Sequence, residues 1–68
     1  MSAIGPIEIV AGNTIDDTNR AARLALALHR MMKPSSPENL IAWEIFSAAS
    51  GACERLCDAL ELEAPIYE

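Results

Sequence analysis

The chain has 68 residues, five basic against ten acidic, a formal net charge of −5 and two cysteines. This is enough for one small domain, which on its own buries only about 60% of its unfolded surface and sits close to the limit of stability. Two cysteines are too few for a disulfide framework, and an acidic chain is repelled by the phosphate backbone, which disfavours non-specific nucleic-acid binding.

The charge is unevenly placed. Residues 1–37 carry Arg20, Arg23, Arg30 and Lys33 against Glu8, Asp16 and Asp17, whereas residues 38–68 carry Arg55 alone against seven acidic residues. No apolar run approaches the ~20 residues of a membrane span. The first ten residues lack the basic and apolar regions of a signal peptide, so the expected location is cytoplasmic and reducing, with no membrane contact.

Taken in chain order, Ile4-Gly5-Pro6-Ile7-Glu8-Ile9-Val10 alternates briefly and is β-branched, which predicts a short strand over about 6–10. Pro6 restricts it to an edge or to a start just after the proline. Ala11-Gly12-Asn13 reads as a turn. Nothing else in the chain could pair with a strand, so its natural partner is the same strand in a second copy.

Helix 1 is predicted over about 15–33. Thr14, with Asp17 three residues on, resembles a capping box, and Asp16 and Asp17 at the start with Arg30 and Lys33 at the end suit the helix dipole. Pro34-Ser35-Ser36 ends it. Helix 2 is predicted over about 37–62, opened by Ser36 as N-cap and Pro37 at the first helical position, with Pro65 excluding further helix. So short a connection folds the two helices into an antiparallel hairpin.

Both helices are more apolar than a hairpin requires. At about 100° per residue, Met31, Leu24, Leu28, Ala21, Met32, Ala25, Ala22, Ile15 and Leu26 cover roughly 220° of helix 1, broken only by Asp17, Thr18 and His29, about twice the stripe that burying one face needs. In helix 2, Ile41, Ala42, Ile45, Phe46, Ala48, Ala49, Ala52, Cys53, Leu56, Cys57, Ala59 and Leu60 span about 180°. The surplus predicts a homodimer, a four-helix arrangement with the strands paired across a two-fold axis. Its interface would take Ile7, Ile9, Leu24, Leu28, Met31 and Met32. Alternatively, the surplus surface is itself the site for a target.

Chemistry is sparse. Cys53 and Cys57 lie one helical turn apart, a spacing that rarely suits a disulfide, and they lack companions for zinc. They read as buried thiols acting as small hydrophobes. His29 has no nucleophile spaced beside it. No glycine-rich phosphate loop is present, so no cofactor, metal or catalytic residue is expected, and the chain reads as non-enzymatic. Gly51 falls mid-helix, where it costs on the order of 1 kcal/mol against Ala; a close contact would explain it.

Leu40 and Trp43 project outside the main apolar arc beside Glu44, and Trp is enriched at protein-binding hot spots. The arginine stripe Arg20, Arg23 and Arg30 could meet an acidic partner. These six residues are the candidate partner-binding set, set against the plainer reading in which Trp43 flanks the core or meets the tail of Tyr67 and the arginines form a solvated face.

A short strand, Gly12 in a turn, an alanine- and leucine-rich first helix and Ala42-Trp43 early in a second helix rich in small residues make up a pattern over roughly residues 7–60. It resembles a group of short helical proteins of pseudomonads, and the small phage-encoded anti-activators that bind quorum-sensing regulators in such hosts. The resemblance implies a dimeric helical inhibitor that sequesters a host transcription factor of the LuxR type, its acidic second half suited to a basic, DNA-binding surface. A small DNA-binding regulator and a structural subunit of a larger assembly are the alternatives. The first is weakened by net charge and by helices too apolar to leave a base-reading face.

Overall fold

A computed structural model describes residues 6–67 of the chain. Two helices, α1 (Pro6–Met31) and α2 (Pro37–Ala59), pack against each other as a hairpin, and an irregular tail follows. No strand occurs among the described residues.

The predicted strand over 6–10 is therefore incorrect, and so are the turn at Ala11-Gly12-Asn13 and the helix start at Thr14; all of these residues lie within α1. A lone strand leaves its amides and carbonyls unsatisfied, whereas continuing the helix backwards pairs them within the segment. Pro6 suits this outcome, because the first turn of a helix needs no donor from it. Thr14 does not cap. Its hydroxyl donates to the Val10 carbonyl at 2.8 Å, and Thr18 repeats the pattern on Thr14 at 2.7 Å, as interior helical threonines do. Pairing of strands across a two-fold axis falls with the strand.

α1 ends two residues earlier than its predicted boundary at 33, where the Met32 amide donates to the Leu28 and His29 carbonyls. Ser35, at φ 67°, turns the chain. Ser36 then caps α2 as the sequence predicts, its side chain accepting from the Asn39 amide at 3.1 Å with Pro37 behind it. Across the turn, Asn39 Nδ2 donates to the His29 carbonyl at 2.9 Å, tying the two helix ends together.

α2 stops at Ala59, three residues before its predicted end at 62. Leu62 donates to the Cys57 carbonyl at 2.7 Å and Glu61 to that of Asp58 at 3.1 Å, with Glu61 left-handed at φ 57°. This is the Schellman arrangement, with glutamate where glycine is usual. Replacing Glu61 with Gly relieves a left-handed strain of about 1 kcal/mol, and Gly51→Ala should add a similar gain. A Cβ at Gly51 would meet only the mobile tip of Arg55, at 3.3 Å, so no close helix contact holds that glycine in place. Each variant should raise the thermal midpoint by several degrees, measured by circular dichroism.

The interior is built from small side chains. Among the described residues, Ala22, Ala25, Ala42, Cys53, Cys57 and Ser50 are buried, and no large aliphatic side chain is fully buried with them. Around these small residues Ile15, Leu26, Phe46, Leu56 and Leu60 are half-buried, while Leu24, Ile41 and Ile45 are exposed. The result is slender: the radius of gyration is 14.3 Å, against about 11 Å for a compact domain of this length.

Candidate protein-interaction face

Viewed down α1 from its N-terminus with α2 on the right, the residues of α1 advance clockwise by about 100° each. Ala22 and Ala25 point right into the hairpin. Ala21, Leu24 and Leu28 then point upward. From the same viewpoint α2 advances anticlockwise, since it runs the other way. With Ala42, Cys53 and Cys57 pointing left, Ile41, Ile45 and Ala52 also point upward. One broad face of the hairpin thus carries apolar stripes from both helices, that of α1 interrupted by the exposed Asp17 one turn before Ala21.

These side chains are open to solvent: Leu24 is 65% exposed, Leu28 41%, Ile41 59% and Ile45 49%. The chain exposes 5165 Å² in all, whereas a compact monomer of 7.3 kDa exposes about 4,200 Å².

Of the residues predicted for a dimer interface, Leu24 and Leu28 lie on this face. Met31 is exposed at its outer edge near the turn, and Met32 is half-buried at the end of α1. Ile7 and Ile9 are exposed on the first turns of α1, where the helical spacing separates them by about 160° instead of placing them on one side of a strand. Ile41 and Ile45 complete the face, and the sequence reading assigned them no outward role. The signal was present in the width of the apolar arc of helix 2. Its alanines and cysteines go inside, and the isoleucines on its other edge stay outside.

The opposite side is closed by the tail. Tyr67 Oη donates to the Ser50 carbonyl at 3.2 Å, lies 3.4 Å from Glu54 Oε2, and sets its ring edge-on to Phe46 with centroids 5.7 Å apart. Trp43 stacks obliquely on His29 at 5.0 Å and on Phe46 at 5.2 Å. Trp43 thus flanks the hairpin core, as the plainer expectation had it, although Tyr67 meets Phe46 and not Trp43. Burial, the Cys53 thiol and the Glu54 carboxylate push the Tyr67 phenol well above its usual value. Because this is the only tyrosine, ultraviolet titration reports it directly: phenolate absorbance should rise only above the ordinary midpoint near pH 10. The raised phenol favours the folded tail below that pH and loses its contribution as pH climbs past it.

Leu40 and Glu44 are exposed on α2, as are Arg20, Arg23 and Arg30 on α1. Arg20 and Arg23 border a shallow hollow of about 320 Å³ with Asp16, Asn19 and Leu24. All five belong to one helix, so no second element converges there. Arg20 reaches Asp17 at 3.4 Å in an exposed pair. His29 Nδ1 lies 3.3 Å from the Asn39 carbonyl. Cys53 and Cys57 are free and buried. The Cys53 thiol donates weakly to the Ile15 carbonyl at 3.7 Å, while burial and the neighbouring thiol push Cys57 upward, away from thiolate. Among the described residues, no three metal-ligating side chains come together, and no helix is long and apolar enough to cross a membrane.

Compared with known protein families, characterised proteins and solved structures, the chain matches none.

Proposed function

We propose that this chain is a non-enzymatic protein-interaction module whose working form is a homodimer joined through the apolar face. The observation that carries the reading is the pair of exposed stripes, Leu24 and Leu28 beside Ile41 and Ile45, over a hairpin whose fully buried residues, among those described, are all small. A hairpin with so thin an interior gains stability by covering that face, and a second copy supplies a matching apolar surface at every concentration at which the protein is made. The test is the concentration dependence of thermal unfolding. A dimer that holds the fold together melts higher as protein concentration rises, so a hundredfold increase should lift the midpoint by several degrees. A midpoint independent of concentration would remove self-association from the account.

The outer surfaces of such a dimer, including Leu40, Trp43, Glu44 and the arginine stripe of α1, are where a regulatory target would bind. The resemblance to phage-encoded anti-activators supplies one specific candidate, a host regulator of the LuxR type, with the acidic second half of the chain facing its DNA-binding domain. Titration calorimetry against such a regulator, whole and without that domain, tests this form of the reading. Equal binding to both would contradict it.

A further inference from the structure

We infer that Cys53 and Cys57 form a dithiol modification site held shut by the tail, and that undocking of the tail alone, with the helices still packed, delivers both thiols to thiol-directed electrophiles. The two side chains lie one turn apart on the inward side of α2 and are 0% and 2% exposed. α1 covers the pair from one side, where the Cys53 thiol meets the Ile15 carbonyl at 3.7 Å. The tail covers it from another, on the side of the hairpin opposite the apolar face. Two points of α2 pin it: the Leu62 amide donates to the Cys57 carbonyl at 2.7 Å, and the Tyr67 hydroxyl to the Ser50 carbonyl at 3.2 Å. Those carbonyls stand about 10 Å apart along the axis, so the segment between the pins runs back along α2 past both cysteines. Tyr67 Oη comes close enough to Cys53 for the thiol to help raise the phenol. Steps of about 100° put Cys57 between Cys53 and Ser50 around the helix, on the flank toward the tail.

The two covers differ in strength. Separating the helices undoes the whole hairpin. In the tail only Pro65 and Tyr67 are half-buried, and residues 61–64 and Ile66 are exposed. One hydroxyl and one ring edge against Phe46 hold its far end. A segment with so few contacts opens at a small fraction of the cost of global unfolding. Opening withdraws the Tyr67 ring and hydroxyl from Cys53 and bares the flank that carries Cys57. The thiolate is the reacting form. Its sulfur forms the S–C bond to a haloacetamide, the halide leaves with the electron pair, and the thiol proton passes to the buffer. An adduct on Cys53 then occupies the place of the Tyr67 hydroxyl, so a modified chain holds its tail off, the reciprocal of tail opening admitting the reagent.

The test is the rate of alkylation of each cysteine by excess iodoacetamide, read by mass spectrometry of the digested chain. Below the unfolding transition the wild-type rate should hardly change with urea, because tail opening exposes little surface. Tyr67→Phe keeps the ring and removes the hydroxyl, and should speed both cysteines by roughly three- to tenfold. Ser36→Ala removes the N-cap of α2 at the far end of the hairpin. It should raise the unfolded fraction by about fivefold yet leave the alkylation rate unchanged. Alkylation that climbs with urea as steeply as unfolding does, or that Ser36→Ala speeds as much as Tyr67→Phe, would place the opening in helix separation and overturn the inference. Equal rates for wild type and Tyr67→Phe would overturn it too. In the alkylated protein the phenol should titrate near its ordinary midpoint of about pH 10, and a phenol still held well above that would contradict the coupling of adduct and tail.

Discussion

Ile45→Glu should convert the protein to single chains, whereas Leu40→Glu should leave its assembly unchanged. The two residues are similarly exposed in the isolated hairpin, 49% and 60%, so exposure alone does not separate them. Position does: Ile45 sits in the middle of the apolar face beside Leu24, and Leu40 projects to the other side of α2. Full burial of an isoleucine contributes about 1.5–3 kcal/mol, and a two-fold interface loses it twice. A glutamate placed there must also be desolvated or kept in water. An effect of about 3 kcal/mol is two powers of ten in dissociation constant, readily seen by size-exclusion chromatography with mass detection. Equal behaviour of the two variants would mean that the face is not the contact.

The second large effect is expected in the core. Ala42→Leu puts three additional heavy atoms into the hairpin interior, at a residue that is 1% exposed. Overpacking of this kind costs about 1–3 kcal/mol, a large share of the roughly 3–10 kcal/mol available to a domain of this size. The thermal midpoint should fall by around 10 °C. Ala27→Leu, the same change at an exposed position of α1, should alter it little. Thermal denaturation followed at 222 nm compares the two, and a tolerant Ala42 would contradict the small-residue packing.

The hairpin was legible because its signals are local. Ser36 followed by Pro37 starts a helix whatever surrounds it, and a turn this short leaves an antiparallel pair as the only outcome. The N-terminal segment was not legible for a physical reason. Four residues, Ile7-Glu8-Ile9-Val10, are too few to separate a strand from the first turn of a helix, and the deciding fact is that no partner strand lies among the described residues. Thr14 offered a capping signal that its hydroxyl does not use, since the helix was already under way. The excess of apolar surface was visible from arc width alone, and Leu24, Leu28 and Met31, which the sequence assigns to a dimer interface, are exposed in the hairpin. What arc width does not reveal is which edge of helix 2 turns inward. Large side chains are the usual interior, and here alanine, cysteine and serine take the fully buried positions, leaving Ile41 and Ile45 outside. The partner-binding set fared unevenly for a related reason: Trp43 stands apart from the arc in projection, yet its ring is wide enough to lean back onto His29 and Phe46.

Self-association through the Leu24, Leu28, Ile41 and Ile45 face is the claim on which the rest depends, and the molar mass of the unmodified protein tests it most directly. Light scattering across a concentration series reaching the low micromolar range should give twice the 7.3 kDa of one chain, with dissociation only at the dilute end. A folded protein of single-chain mass throughout the series would contradict the account.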